Sequence, residues 1–400
     1  MAKPTTTSED AARFRQSIDD VLRGRLREAI EVVLEEELTE ALGCSRYDRT
    51  EQRSGYRNGH SERSITTETG LQRLRVPRGR VQRPDGTTEE FRSEVLPRYS
   101  RRTRRVDEAL LGIYLAGANS RRIRKAIAPL LGDANLSKSS ISRVVSRLKA
   151  LFADWNSRDL SEEQYKILFL DGFHIKVRMA RRVVSVPVLA ALGVAEDGSK
   201  RLVGLQLVVR ESGASWFGFV DDLAQRGLAK PAVLVTDGHA GLKKARDVWN
   251  GVDVQRCSQH KLCNLLDACP KHAHTELKRD YRAIICARSH DDGLVAYDGF
   301  LEKWKSLCPG VASSLEEAGL DLLTFYRFPK PLWKGLRTTN SLENLNREFR
   351  RRTKTQGSFS TEDAALTLLY ALVAFGQITL RRITGYPHVA EINHVVEDAA

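Results

Sequence analysis

The chain has 400 residues, more than one ordinary core accommodates, and 41% of them are hydrophobic, so two to four globular domains are expected. Lys and Arg number 64 against 51 Asp and Glu, a formal net charge of +13, and that excess favours a polyanionic partner, nucleic acid first, through phosphate neutralisation and counterion release. No stretch approaches the roughly 20 uninterrupted apolar residues of a spanning helix. The opening MAKPTTTSEDAARF also lacks the apolar core of a signal peptide. No membrane partner and a cytoplasmic, nucleoid-associated address are therefore expected. Six unevenly scattered cysteines (Cys44, Cys257, Cys263, Cys269, Cys286, Cys308) fit reduced thiols or a metal site better than a secreted disulfide framework.

From Ser8 to Leu42 apolar residues recur at helical spacing (Phe14, Ile18, Val21, Leu22, Leu26, Ile30, Val33, Leu34, Leu38), which predicts one or two amphipathic helices in residues 1–45. Packing on the rest of the chain and dimerisation are equally good uses of that face. Residues 46–98 are dense in Arg and Gly, with short alternating strands such as LQRLRVP between turn signals, and predict a small basic β-rich element. Arg57, Asn58, Arg78 and Arg80, near Tyr47 and Tyr56, are its candidate DNA contacts. In residues 99–155 three helical stretches, VDEALLGIYLAG, SRRIRKAIAPLLG and SKSSISRVVSRLKALF, suggest a helix-turn-helix unit. Ser137 can cap its last helix, whose exposed side carries Lys138, Ser139, Ser142 and Arg143, of which Lys138, Ser139 and Arg143 are taken as DNA contacts.

Residues 160–257 change period. YKILFLDGF, RRVVSVPVLAALGV and RLVGLQLVV read as three successive strands, SWFGFVDDLAQRGL as a helix, PAVLVTDG as a buried strand, AGLKKARDVW as a helix and DVQRC as a short strand. Three antiparallel strands followed by alternating helix and strand is the element order of a ribonuclease-H-like sheet. Residues 258–335 contain helical stretches only and are read as an all-α insertion, after which the core resumes over 336–385 and a tail closes the chain at 386–400. The expected fold class is thus multidomain α/β: a ribonuclease-H-like mixed sheet with an all-α insertion, preceded by helical and small β-rich DNA-binding domains.

Three acids stand at element ends in this core: Asp171 closing the first strand, Asp237 closing the fourth, and Glu343 opening the helix of TTNSLENLNREFRRRTK. Three converging carboxylates suit Mg²⁺, with Mn²⁺ as a substitute, because two such ions roughly 3.5–4 Å apart can activate an attacking oxygen and stabilise a leaving one in phosphoryl transfer. Each acid also has a plain structural reading, since Asp171-Gly172 and Asp237-Gly238 could be turns and Asn340 with Glu343 could form a capping box. Arg347 and Arg350 follow Glu343 at one and two helical turns, where they and neighbouring Arg351 could meet DNA phosphates. Trp333, with Lys330, Lys334 and Arg337 around it and Pro329 and Pro331 predicting an extended approach, is either a core aromatic or a platform for an unpaired base.

The stretches GYRNGHSERSITTETGLQRLRVPRGR, FLDGFHIKVR, VLVTDGHAGL, VQRCSQHKLCNLL and LWKGLRTTNSLENLNREFRRRTKTQGSF occur in this order, and from about residue 47 to beyond residue 375 the chain resembles Mutator-type bacterial insertion-sequence transposases of the DDE superfamily. The resemblance implies a catalytic and metal-binding triad of Asp171, Asp237 and Glu343, with Arg350 as the basic residue seven places on. It implies binding of inverted terminal repeats, metal-dependent strand cleavage and transfer of a 3′-hydroxyl into target DNA. Holding two element ends then calls for a homodimer or larger assembly on DNA. Cys257 and His260 match the family's Cys-x-x-His pair. We read them as a structural anchor for the insertion, although Cys263, Cys269, His272 and His274 nearby leave a zinc site open. Two other functions share these modules: a domesticated, catalytically idle DNA-binding regulator, and a nuclease that cuts without joining.

Overall fold

The computed structural model describes residues 8–48, 53–83, 85–116, 123, 125–128, 138–179, 182–238, 246–354, 359 and 361–392, with side chains over the same residues except 8–17, 138–141 and 179. Two compact units are present, Met1–Val145 and Ser146–Ala400.

In the first unit one continuous helix, α1 (Ser8–Leu42), precedes a three-stranded antiparallel sheet of β1 (Gly55–Thr67), β2 (Gly70–Gln82) and β3 (Thr88–Glu90), in that order. Alternation in QRLRV sends Gln72, Leu74 and Val76 inward and Arg73 and Arg75 outward. Ile65, Leu74 and Val76 close a small core with Leu34 and Leu96. The packed part of α1 is its C-terminal half, where Leu34, Leu38 and Leu42 are buried at a spacing of one turn, while Ile18, Val21 and Leu22 stay exposed. A register shift between Arg57 and His60 interrupts the β1–β2 ladder. Helix α2 (Arg104–Leu115) buries Val106, Leu110, Tyr114 and Leu115, and the chain passes from the first unit to the second within α3 (Lys138–Asn156). Most of the middle helix expected in a helix-turn-helix, and Ser137, lie outside the described residues.

The second unit is built on a five-stranded mixed sheet. β4 (Ile167–Met179), β5 (Arg182–Val194) and β6 (Lys200–Leu207) are antiparallel, β7 (Val233–Thr236) lies parallel to β4 and β8 (Asp253–Arg256) parallel to β7, giving the order β6-β5-β4-β7-β8. Helix α4 (Gly213–Gln225) sets Trp216, Phe219, Val220 and Leu223 against Leu168, Leu170, Leu189, Ala191, Val203 and Leu234. Successive strand residues face opposite ways, so Phe169, Asp171 and Phe173 share the other side of β4. There Phe173 stacks on Phe349 of α10 (Asn340–Lys354), ring centroids 5.6 Å apart.

Between β8 and α10 the described elements are helical: α5 (Ser258–Asp267), α6 (His274–Ile285), α7 (His290–Leu307), α8 (Pro309–Ala318), four short 3₁₀ turns and α9 (Trp333–Leu336). They share an apolar interior that includes Leu277, Tyr281, Phe300, Trp304 and Leu315. Buried Gln255 ties this region to β8, donating to the Leu322 carbonyl at 3.0 Å and accepting from the Phe325 N–H at 2.6 Å. Helix α11 (Glu362–Ala374) follows α10, capped by the Thr361 hydroxyl, which accepts from the Ala364 N–H at 3.2 Å. No helix among the described residues is long and apolar enough to cross a membrane.

Candidate active site

Asp171 does not close its strand, contrary to the expectation from FLDGF. β4 runs on to Met179, paired throughout with β5, and Asp171 sits opposite Ala190 in mid-ladder. What ends at this point is the other neighbour, since β7 pairs only with Ile167–Leu170 of β4. Asp171 is thereby the first β4 residue without a β7 partner, and Asp171-Gly172 is strand rather than turn. Asp237 directly follows β7, with Gly238 at φ +85°, a conformation that suits glycine. An added Cβ there would come within 2.1 Å of Arg256 Nε. Glu343 lies in the first turn of α10, whose residues Leu342, Leu345, Asn346 and Phe349 are buried.

The segment leading into α10 meets the end of β8 at Cys257. The Cys257 N–H donates to the Thr236 carbonyl at 2.7 Å, and the Ser258 N–H to the Arg337 carbonyl at 2.8 Å. Thr339 is fully buried there. Its N–H points at Cys257 Sγ (3.4 Å), and its hydroxyl lies within reach of Cys257 Sγ (3.3 Å), His260 Nδ1 (3.5 Å) and Glu343 Oε1 (3.0 Å). His260 Nε2 is 3.6 Å from the same Glu343 oxygen. Among the described residues the one group of three or more His, Cys, Asp or Glu ligand atoms within 4.8 Å of one another is Cys257, His260 and Glu343. Cys263, Cys269, His272 and His274 do not join it, and the His274 ring instead meets the Cys269 carbonyl at 3.0 Å.

Burial, and then the charge of Asp237, pushes the Asp171 carboxyl up to about 7, with Glu343 and Glu211 adding to the rise and His260 opposing it. Asp171 therefore feels three other carboxylates at this corner of the sheet. His260 is lifted to about 9, mainly by its hydrogen bond to Cys257, against the effect of burial and with help from Glu343 and Asp237. Burial disfavours a Cys257 thiolate, yet hydrogen bonds from His260 and Thr339 outweigh it and bring the thiol below its ordinary value. His260, raised to about 9, is thus protonated at neutral pH beside a thiol of lowered pKa, and it faces Glu343.

Three residues of this site escaped the sequence reading. Asn346 donates Nδ2 to Asp171 Oδ2 at 2.8 Å. Glu211, which accepts from Trp216 Nε1 at 3.0 Å, lies over Gly172 so closely that a Cβ there would be 2.8 Å from its Oε1. Thr339 is the third. Only the helical spacing of Asn346, three residues after Glu343, could have marked it in advance.

The proposed DNA contacts divide. Asn58, Arg78, Arg80, Arg143, Arg347, Arg350 and Arg351 are exposed, with Arg347 bonded to Asn344 at 2.9 Å and Arg351 paired with Glu348 at 2.7 Å. The side chains of Lys138 and Ser139 lie outside the described residues. Arg57 is largely covered and engaged with α1, donating to Glu35 at 2.8 Å and to the Thr39 hydroxyl at 2.7 Å. Arg337 donates to the Ile285 carbonyl at 3.0 Å. The approach to Trp333 is not extended: Lys330–Leu332 form a 3₁₀ turn that passes into α9. The half-buried indole donates to the Phe328 carbonyl at 2.7 Å and stands edge-on to Tyr326, centroids 4.7 Å apart, so the ring is part of the packed interior of the helical region.

A family profile described as Transposase, Mutator family, matches residues 2–377. Similar proteins include the transposase of insertion sequence element ISRM5 of Rhizobium meliloti, 36% identical over 88% of this chain and 87% of its own length. The transposase of IS1081 of Mycobacterium tuberculosis is 32% identical over 91% of this chain and 86% of its own. That of IS256 in transposon Tn4001 of Staphylococcus aureus is 31% identical over 89% and 90%. The chain belongs to the Mutator family of transposases, enzymes that act on DNA.

Proposed function

We propose that this chain moves an insertion sequence by DDE-type chemistry, binding terminal inverted repeats, cleaving strands at the element ends and joining the freed 3′-hydroxyl to target DNA. One observation carries the reading: buried Asp171, at the end of its pairing with β7, is pushed up to about 7 by burial and by Asp237, Glu343 and Glu211 around it. A buried acid so crowded by others is costly unless a cation offsets the charge, and the all-oxygen donors suit Mg²⁺ or Mn²⁺. The order β6-β5-β4-β7-β8, with three antiparallel strands and two parallel additions, supports a ribonuclease-H-like core.

When bound, the cations would lower the pKa of the attacking hydroxyl and neutralise charge on the phosphate. Asn346 holds Asp171 Oδ2 and would orient the carboxylate for the cations. Glu343 is oriented by the Thr339 hydroxyl, and the positively charged His260 compensates part of its charge. Exposed Arg347 and Arg350 on α10 are set to meet phosphates flanking the scissile one. The basic sheet of the first unit would read the element ends, and holding two ends together calls for at least a homodimer.

Asp171→Asn, Asp237→Asn and Glu343→Gln should each abolish cleavage and joining of element-end DNA in Mg²⁺ while end binding persists. Normal strand transfer by any of them would remove the assignment. Cutting without joining by the wild type would leave a nuclease, and end binding without either would leave a regulator.

A further inference from the structure

Asn346 stands on α10 one turn beyond Glu343 and is 3% exposed. Its carboxamide is used on one side only: Nδ2 donates to Asp171 Oδ2 at 2.8 Å, whereas Oδ1 is buried without a hydrogen-bond partner. An amide oxygen buried without a partner is a cost to the fold. A leucine has the same γ-branching and no polar atom to strand, so apolar packing of α10 on β4 does not account for an asparagine. Covalent geometry keeps Oδ1 about 2.3 Å from the nitrogen that touches Asp171, hence at the edge of the acid cluster. The orientation is informative as well. An NH₂ group facing Asp171 suits the ionised carboxylate, the form that ligates a cation, and would oppose a protonated one only through its hydroxyl.

We propose that Asn346 is a positioning residue of the cation site: it holds Oδ2 of Asp171 so that Oδ1 faces the cation, and its own unpartnered oxygen accepts a hydrogen bond from cation-bound water. This rests on the cation-binding reading of Asp171, Asp237 and Glu343. Thr339 and Asn346 then do the same work on either side of the first turn of α10, each fixing one oxygen of one acid. Such supporting hydrogen bonds commonly change metal affinity by about 10–100-fold when removed. The retained cost of the buried oxygen is then offset only in the loaded protein.

The test is Mn²⁺ binding to the full chain, read by electron paramagnetic resonance of the free ion, with no DNA and no turnover. Wild type, Glu343→Gln, Asn346→Leu and Asn346→Ser are compared, with thermal melting of the metal-free proteins alongside. Asn346→Leu should bind Mn²⁺ about tenfold more weakly while still melting cooperatively when metal-free. If the leucine variant fails to fold, Asn346→Ser is read in the same way. Mn²⁺ affinity within twofold of wild type in a folded Asn346 variant would make the residue a plain packing clamp and overturn the proposal. A wild type with no site weakened by Glu343→Gln would instead overturn the cation reading, and this inference with it.

Discussion

His260 Nε2 stands 3.6 Å from Glu343 Oε1, and the same oxygen accepts the Thr339 hydroxyl at 3.0 Å. The third acid of the site is therefore held by a residue at the start of the helical region and by one four positions before it in the chain. Cys257 completes this junction from the end of β8 and is itself fully buried. Anchoring and electrostatics are one device here: the hydrogen bonds that tie the helical region to the sheet also set the charge facing Glu343.

Thr339→Val keeps the shape of the side chain and removes the hydroxyl that orients Glu343 and approaches Cys257 Sγ. Stability should fall by about 1 kcal/mol, and strand transfer by about 10–100-fold. Urea titration and an element-end joining assay measure the two separately. Equal proportional losses in folded fraction and in activity would reduce Thr339 to a stability role.

Metal-free protein should become less stable as pH rises from about 4 to about 7 on account of Asp171, whose ordinary value of 3.8 is raised to about 7 in the fold. Below the ordinary value the carboxyl is protonated in both states and contributes nothing. Above it the unfolded chain releases a proton that the folded chain retains, so stability drains until pH reaches the folded value, by up to about 4 kcal/mol. Asp171→Asn should flatten this limb of the urea midpoint against pH. Millimolar Mg²⁺ should flatten it in the wild type, and an unchanged slope in the Asp171→Asn protein would locate the titration elsewhere.

In the first unit, covered and exposed arginines should behave differently. Arg57→Ala breaks the hydrogen bonds to Glu35 and Thr39 that join β1 to α1 and should lower the melting temperature. Arg78→Ala and Arg80→Ala, both exposed, should leave melting unchanged and weaken element-end binding. Each should lower the slope of log affinity against log salt by about 1. Fluorescence anisotropy over a salt series, paired with melting, separates the two classes.

Local chemistry made much of this protein legible in its sequence. The periodic Leu34, Leu38 and Leu42, the alternation of Gln72, Leu74 and Val76 against Arg73 and Arg75, and the buried run ending in Asp237 are properties of neighbouring residues, and they form a helix and strands in the places that spacing dictates. Family membership was legible too, through motifs spread along the chain. Other features depend on partners far away in sequence. Asp171 reads as a strand end, but β4 continues, because a strand ends only where its neighbours stop pairing and β5 does not stop there. Arg57 reads as a free cation until Glu35 arrives from α1. Trp333 reads equally as a core aromatic or a stacking platform until Tyr326 and the Phe328 carbonyl hold its ring. Asn346 reads as one more polar helix residue, and what distinguishes it is a carboxylate 175 positions away. Sequence spacing decides which way a side chain points from its own element. Whether it meets solvent, a counter-charge or a buried acid is decided by the element packed against it, and that is a property of the tertiary fold alone.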